Sequence, residues 1–573
     1  MRLFLSTVLW VASFAGLMAA DSFVNDAEAR ARIEKAVPGK AMVQPLKPRR
    51  LLIFTLNVGY GGHPSMAYAN EAFFLMGQKT GAFETEVSSD PAVFERSRLQ
   101  RFDAVFFNNN VGNCFTNADL RRNLQEFITG GGGLMGVHGT TVAFTRWPGA
   151  FEDWPEFGYM IGGRGANHKE SDEHVWINVE DPASPLTKVF GTGPFDYRDE
   201  FFRVHEPYSR DRLRILLSID TAKTDLKRGD PRGNVMRVDN DYALAWIRNY
   251  GRGRVFYSTI AHNPYVFWDP RMLEFYLAAA QFALGDLPVH TTPSARLSPA
   301  VRAQETLGWK LGIEAYTFHK FTFYETIEKT AQLGLPYVGG LSFQKVSRDL
   351  AKDFDPQLSD AELESIRLKL EQAGLRLLTY YIHDLPADEA ACRKVFEFGR
   401  KMGIETFVSE PKPEALDVIA RFCDEYGINV ALHNHDQKAS PQYWNPENIA
   451  KLCQGRTPRL GACGDLGYWM RSGIDPIQAA RTLGKRLLTI QMHDLHDRGP
   501  DGHDVPWGTG VGRTAEFLAE IQRLGIQPTM FGLEYSYDWL ESIPKIAQSI
   551  EFFNLTSLNL AQESRRSAVP SSR

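Results

Sequence analysis

From Leu311 to Leu560 the chain repeats one pattern eight times: a short apolar run, then an amphipathic stretch. The runs start near Lys310, Tyr337, Leu375, Thr406, Asn429, Leu460, Leu487 and Thr529. Between them stand segments of helical period such as Asp360–Ala373, Ala387–Met402, Glu414–Tyr426 and Ile474–Leu483. Strands that are apolar throughout belong in a parallel sheet whose faces are both covered by helices. Eight such units in about 250 residues have the size of a closed (β/α)8 TIM barrel. An open α/β sheet accounts less well for the count and the even spacing. Residues 310–560 are therefore expected to close into a barrel, with a disordered tail over 561–573.

A barrel of this kind carries its chemistry on the C-terminal ends of its strands. Strand four ends in Phe407-Val-Ser-Glu410, and strand five in His433-Asn-His435-Asp436. Strand six ends in Cys463-Gly-Asp465, strand seven in Met492-His493-Asp494, and strand eight in Gly532-Leu-Glu534. Each residue alone also reads as a satisfied core histidine, a turn cap or an ion-pair partner. Imidazoles and carboxylates at matching positions of successive strands instead predict a metal site with His433, Asp465, His493 and Glu534 as ligands. The mixed nitrogen and oxygen donors suit Mn²⁺, Zn²⁺, Co²⁺ or Fe²⁺ better than Ca²⁺. Glu410 and His435 are expected to orient the ligands or to serve as bases.

The first half has a different rhythm. Strand-like runs at Arg50–Thr55, Ala104–Phe107 and Gly133–Val137 alternate with helical segments Ala67–Lys79 and Asn117–Ile128. A last strand at Gly253–Ser258 and a helix at Met272–Leu284 close the unit. This alternation predicts a doubly wound α/β domain over 49–286, with its ligands at the strand C-termini. Glycine-rich phrases there end in histidines: Gly59-Tyr-Gly-Gly-His63, Gly136-Val-His138 and Gly162-Gly-Arg-Gly-Ala-Asn-His168. Glycines after a strand let backbone N–H groups approach a ligand closely, and His138 sits just past such a strand, an exposed functional position in doubly wound sheets. The four glycines from Gly130 precede a strand, so they do not match a dinucleotide fingerprint. Residues 287–309, with Pro288, Pro293, Ser298 and Pro299 and no apolar period, are expected to be an extended linker.

Arg2, the apolar run Leu3–Met18 and the small pair Ala19-Ala20 have the makeup of a secretory signal peptide over 1–20, leaving a polar leader over 21–48. A buried N-terminal helix and a retained anchor are the alternatives. The expectation is an exported protein, periplasmic or extracellular, with no stable membrane insertion after signal removal. A net charge of −5 with Lys and Arg spread along the chain argues against a nucleic-acid partner. Five cysteines without a CxxC pair read as small buried residues.

The phrases Val430-Ala-Leu-His433-Asn-His435, Gly464-Asp465-Leu-Gly-Tyr468-Trp-Met-Arg, Met492-His493-Asp494 and Gly532-Leu-Glu534-Tyr resemble the sugar phosphate isomerase/epimerase family of xylose isomerase-like barrels. So does Asp504-Val-Pro-Trp507-Gly-Thr-Gly. The resemblance implies a divalent metal, Mn, Zn or Co, and a sugar substrate, but not one reaction. Epimerases of that family carry glutamates on strands five and eight; here His433 replaces the first and only Glu534 remains. Tyr468 stands where a histidine commonly follows the metal-binding aspartate. His496 and His503 are alternative proton carriers, with exposed loop histidines as the competing reading. Trp444, Trp469 and Trp507 follow strands and could stack on a sugar, with packing as the competing reading; Trp507 and Tyr468 are taken as substrate contacts. The motifs of the first half resemble the ThuA-like (trehalose utilisation) family of the class I glutamine amidotransferase-like fold. The resemblance implies a carbohydrate-linked role and a histidine-lined substrate pocket with His63, His138, His168, His262 and Glu200, bracing of loops being the competing reading. It brings no glutaminase triad, because Cys114 lies in an Asn-rich loop rather than at a strand-to-helix turn.

Together these readings describe an exported, metal-dependent enzyme acting on a small-molecule sugar or keto-glycoside. A base, Glu534 or else His435 or Glu410, would remove a proton beside a polarised carbonyl, giving isomerisation, epimerisation or eliminative cleavage. The alternative is a secreted carbohydrate-binding protein with a catalytically degenerate barrel. Phosphodiester cleavage is disfavoured by the lack of a basic surface.

Overall fold

The computed structural model describes residues 22–146, 153–165, 167–227 and 236–568. The signal peptide proposed for 1–20 lies outside them. Among the described residues no helix is long and apolar enough to cross a membrane.

The first domain is built on β1 (Arg50–Phe54), β2 (Glu84–Ser88), β3 (Ala104–Asn108) and β4 (Gly133–Val137), all parallel. A small ribbon of β5 (Arg164–Gly165) and β8 (Val204–His205) lies apart from the main sheet. β6 (Glu173–Val179), β7 (Phe195–Asp199), β9 (Arg214–Ile219), β10 (Ala243–Tyr250) and β11 (Gly253–Ser258) complete a nine-stranded sheet in the order β2-β1-β3-β4-β11-β10-β9-β6-β7. β11 joins β4 in parallel, and the four strands beyond it are antiparallel. The doubly wound half is as the sequence predicts; the antiparallel wing is an addition to it. Helices Met66–Thr80, Ala118–Thr129 and Pro270–Leu284 cover the sheet. The leader helix Ala27–Ala36 buries Ile33 in the same core, and Gln281 Oε1 accepts from Met42 N at 2.7 Å.

The second domain is a closed barrel of eight parallel strands. These are β12 (Leu311–Ile313), β13 (Tyr337–Leu341), β14 (Arg376–Tyr381), β15 (Thr406–Ser409), β16 (Asn429–His433), β17 (Leu460–Asp465), β18 (Leu487–Met492) and β19 (Phe531–Leu533). Each starts within two residues of its sequence-predicted position. Most of the helices between them begin at side-chain caps, as at Thr322, Ser359 and Asp388, and several stop at left-handed glycines such as Gly374, Gly403 and Gly427.

Two boundaries need correction. The expected extended linker holds a helix, Pro299–Leu307, with Ser298 as its cap and Pro299 in its first turn. It buries Ala300 and Ala303, and Gln304 Nε2 donates to Asn554 Oδ1 at 2.7 Å on the last helix. That last helix, Ile543–Ala568, runs through the first part of the expected disordered tail. Leu560 and Ala561 are buried there, and Gln522 Nε2 holds the Leu560 carbonyl at 3.1 Å, so local packing continues the helix.

The domains meet through the N-terminal ends of their strands. Arg252, just before β11, donates to the carbonyls of Tyr426 and Gly427, just before β16, at 3.1 and 2.9 Å. Arg376, at the start of β14, donates to Gly251 O at 3.1 Å. Gly403 lies so close that a Cβ there would stand 2.6 Å from Gly251 Cα. Arg400 pairs with Glu126 at 2.7 Å, helix to helix, and Arg248 of β10 pairs with Glu371 on a barrel helix across the same seam. The C-terminal strand ends of the two domains therefore open in opposite directions.

Candidate active site

At the open mouth of the barrel, β17 ends in Asp465 and β18 is followed at once by His493. β19 is followed by Glu534. Their ligand-type atoms converge into one group, with all of them buried. His493 Nε2 lies 3.3 Å from Asp465 Oδ2 and 4.0 Å from Glu534 Oε1, yet it makes no hydrogen bond. Its other nitrogen, Nδ1, is held by Asp504 Oδ1 at 2.7 Å, and Asp504 Oδ2 accepts from Ser536 N at 3.0 Å. That bond fixes the ring so that Nε2 points into the mouth. Asp465 is held by its backbone: its N–H donates to Asn434 Oδ1 at 2.8 Å, and Asn434 Nδ2 donates back to its carbonyl at 3.0 Å.

The fourth expected ligand, His433, falls into a neighbouring group with Glu410 and His435. His433 Nε2 bonds Gln491 Oε1 at 2.5 Å and lies 3.8 Å from Asp465 Oδ2. Its Nδ1 is buried without a hydrogen bond, 3.6 Å from Glu410 Oε1. His435 Nδ1 meets Glu410 Oε1 at 2.8 Å, and Tyr381 donates its hydroxyl to the same oxygen at 3.1 Å. Tyr468 lies edge-on to His435, with ring centroids 4.6 Å apart, at the rim of the site.

Three residues expected at the site lie elsewhere. Trp507 is only 2% exposed and packs edge-on to Phe553 in the barrel core, so it is no substrate platform. The reason is the loop fold: Asp494 accepts from the backbone N–H groups of Gly508, Gly510 and Gly512, which draws Trp507 inward. Trp469 is likewise fully buried. His496 is exposed and stacks on His503 at 3.8 Å, and it joins neither group of ligand-type atoms.

Three contributors carry no role in the sequence reading: Asp504, Gln491 and Glu314. Glu314 follows β12 and is buried beside the site. Thr379 Oγ1 donates to it at 3.1 Å, and a Cβ on Gly339 or Gly532 would lie 2.2 or 2.4 Å from its carboxylate oxygens. A glutamate directly after the first strand was the available signal.

Burial and mutual charge shift the groups of this cluster strongly. Burial raises Glu314 to about 7. Burial, reinforced by Asp465 and Glu314 and opposed by His493, pushes Glu534 up to about 8. Burial also works against Asp465, but His493 and His433 hold it down at about 2. Three carboxylates thus share a buried mouth beside His493, an arrangement that a bound cation would relieve. The unbonded His493 Nε2 and the nitrogen and oxygen donors fit a first-row divalent metal. Beside them, Glu410 lies well below the usual carboxylate range, because the neighbouring His433 and His435 outweigh its burial. His435 is raised, as Glu410 outweighs the opposing effect of burial.

Residues 50–283 match the trehalose utilisation (ThuA) family, and residues 327–556 match the xylose isomerase-like TIM barrel family. The chain joins a ThuA domain to a xylose isomerase-like barrel. Among solved structures it is similar to an uncharacterised protein from Parabacteroides distasonis, at 31% identity over 43% of this chain and 98% of that one, TM-score 0.36. It is similar to a ThuA-like protein from Bacteroides uniformis, at 18% identity over 42% and 92%, TM-score 0.33. An L-ribulose 3-epimerase is 12% identical over 46% and 100%, TM-score 0.36. No curated protein matches.

The ThuA domain carries its own cluster at the opposite end of the molecule. His63 follows β1, His138 directly follows β4, and His262 follows β11. The three rings lie with centroids 4.8, 5.5 and 5.2 Å apart. Glu200, after β7, reaches His138 Nε2 at 3.3 Å, His262 Nε2 at 3.8 Å and His168 Nδ1 at 3.1 Å. All five residues predicted for this pocket are brought together. His138 sits at φ +39 beside Gly139, where a Cβ would stand 2.6 Å from His63 Cε1. Burial, with the neighbouring histidines, pulls His63 down to about 2.

Proposed function

We propose that the chain is an exported, divalent-metal-dependent carbohydrate isomerase, epimerase or lyase whose active site is the barrel mouth. The observation that carries the reading is the convergence of Asp465, His493 and Glu534, with a free imidazole nitrogen, beside the base pair Glu410–His435. Asp465, His493 and Glu534 would hold the metal, which when bound supplies Lewis-acid polarisation of a sugar carbonyl. His433, tied to Gln491, borders both groups.

The proton chemistry belongs to His435. Glu410 engages its Nδ1, leaving Nε2 as the acceptor for a proton on the carbon next to the carbonyl. Return of that proton to another face or carbon gives an epimer or isomer. Departure of an oxygen substituent from the next carbon, with its electron pair, gives elimination. The second carboxylate of a two-glutamate epimerisation is missing at His433, and Glu410 on the adjacent strand makes this an imidazole–carboxylate base. Tyr468 forms the rim against which a sugar would pack.

The test is incubation of Mn²⁺-loaded protein with keto-sugars and keto-glycosides in D₂O, followed by NMR. Deuterium should enter the carbon next to the carbonyl, and His435→Ala should abolish this while metal binding persists. Full metal content without exchange or cleavage across the panel would favour a sugar-binding protein instead.

A further inference from the structure

The ThuA domain's histidine cluster has no role in the barrel chemistry, and its geometry is more specific than a pocket lining. We infer that His63, His138 and His262 form a second, independent metal site, for Zn²⁺ or a similar nitrogen-seeking divalent ion, with Glu200 at its open position.

Three loops that leave the C-terminal edge of one parallel sheet deliver three imidazoles whose ligand atoms all lie within 4.8 Å of one another. A cluster of mutually hydrogen-bonded histidines would satisfy its own nitrogens. This one does not: His138 Nε2 and His262 Nδ1 are buried and make no hydrogen bond. Leaving such atoms dry and unpaired is costly, and coordination removes the cost. The bonds around the cluster also point to a ligand role. Thr259 O takes His138 Nδ1 at 2.9 Å, which leaves Nε2 as a lone pair facing inward. His63 Nδ1 leans on Asn109 O at 3.4 Å, and Asn109 in turn accepts from Gly139 N at 3.0 Å, so the loops are fixed to each other.

Three protein nitrogens with one further position is the pattern of a catalytic zinc centre. Glu200 borders that position. One oxygen lies 3.3 Å from His138 Nε2 and the other is oriented by His168 at 3.1 Å. It can serve as a fourth ligand or accept a proton from a bound water or hydroxyl group. The ligand class is therefore a small molecule with an oxygen donor, taken up far from the barrel mouth, because the domains join through their opposite strand ends.

The experiment is a Zn²⁺ titration of metal-stripped, full-length protein by calorimetry, repeated with Co²⁺ to read the ligand-field spectrum. Wild type should bind two equivalents. Asp465→Asn/His493→Ala should bind one and keep a tetrahedral Co²⁺ band that His63→Ala/His262→Ala lacks. If the double histidine variant binds as many equivalents as wild type with an unchanged spectrum, the site does not exist. Should that variant not fold, Glu200→Gln serves in its place. A loss of about tenfold or more in one of the two affinities supports the site, and no change overturns it. A wild type that binds one equivalent, lost only with the ThuA histidines, would sink the barrel site and leave this one standing.

Discussion

Asp504 offers the most direct test of how the barrel site is held. Its carboxylate accepts from His493 Nδ1 at 2.7 Å and from Ser536 N at 3.0 Å, in a pocket where both Asp504 and His493 are about 98% or more buried. Asp504→Ala removes a charge-assisted bond and strands two donors away from water. The imidazole is then free to turn or to carry its proton on Nε2, the atom that must coordinate. Orienting partners of this kind are worth about 10–100-fold in metal affinity, or about 1.4–2.7 kcal/mol. Asp504→Asn should fall between. If its amide oxygen faces His493, its NH₂ confronts the Ser536 N–H, and if it is flipped, the His493 bond is lost. Calorimetric Mn²⁺ titration of wild type, Asn and Ala forms should give affinities in that order. An Ala variant that binds Mn²⁺ as tightly as wild type, with native circular dichroism, would refute the claim that Asp504 positions His493.

Trp507→Ala should cost about 3–5 kcal/mol of stability in denaturant unfolding while leaving KM for any substrate nearly unchanged; a raised KM with unaltered stability would restore its role as a sugar platform. Gly532→Ala, whose Cβ would stand 2.4 Å from Glu314 Oε1, should destabilise by about 1–3 kcal/mol, and adding Glu314→Ala should recover part of the loss in Tm. Glu405 is disfavoured by burial, but Lys310 and Arg376 outweigh that and hold it at about 2, below its ordinary 4.5. A lowered carboxylate stabilises the fold above about pH 4.5, and that contribution disappears as pH falls through about 2. With its side chain 24% exposed, screening reduces an upper value of about 3 kcal/mol to about 2. Glu405→Gln should therefore weaken the protein at pH 7 and not at pH 2, and equal destabilisation at both would rule out the charge pairing.

The barrel was legible because its strands are apolar on both faces, and a parallel register puts chemically equivalent positions at equal distances from each strand start. That is why Asp465, His493 and Glu534 could be picked out together. The partners that tune them were not, for different reasons. Gln491 is a neutral amide inside β18, with nothing in its neighbours to mark it. Asp504 lies 11 positions from His493 and meets it only because the loop folds back. Glu314 stands alone after its strand, with no second ligand-type residue beside it to form a motif. Trp507 misled because loop residues are usually exposed, and the backbone bonds to Asp494 that bury it cannot be read from residue types. In the first domain the antiparallel wing escaped notice. β6 alternates buried and open positions, whereas the reading followed continuous apolar runs. The linker helix had its signal in Ser298-Pro299, a cap followed by a first-turn proline, which was outweighed by the other prolines around it.

The seam between the domains gives the placement of the two sites its meaning. Arg252, Arg376 and the close pair Gly251–Gly403 use up the N-terminal strand ends on both sides, the ends that carry no chemistry in either fold. Docking in this way leaves both C-terminal faces open and keeps them apart, so neither domain can close over the other's ligand. A product released at one site must cross solvent to reach the other. The two sites can be joined in sequence only through free diffusion, or through a second copy of the chain. Within one chain, mutations at the barrel mouth and at the ThuA histidines should thus act additively on binding, as expected for positions that share no partners.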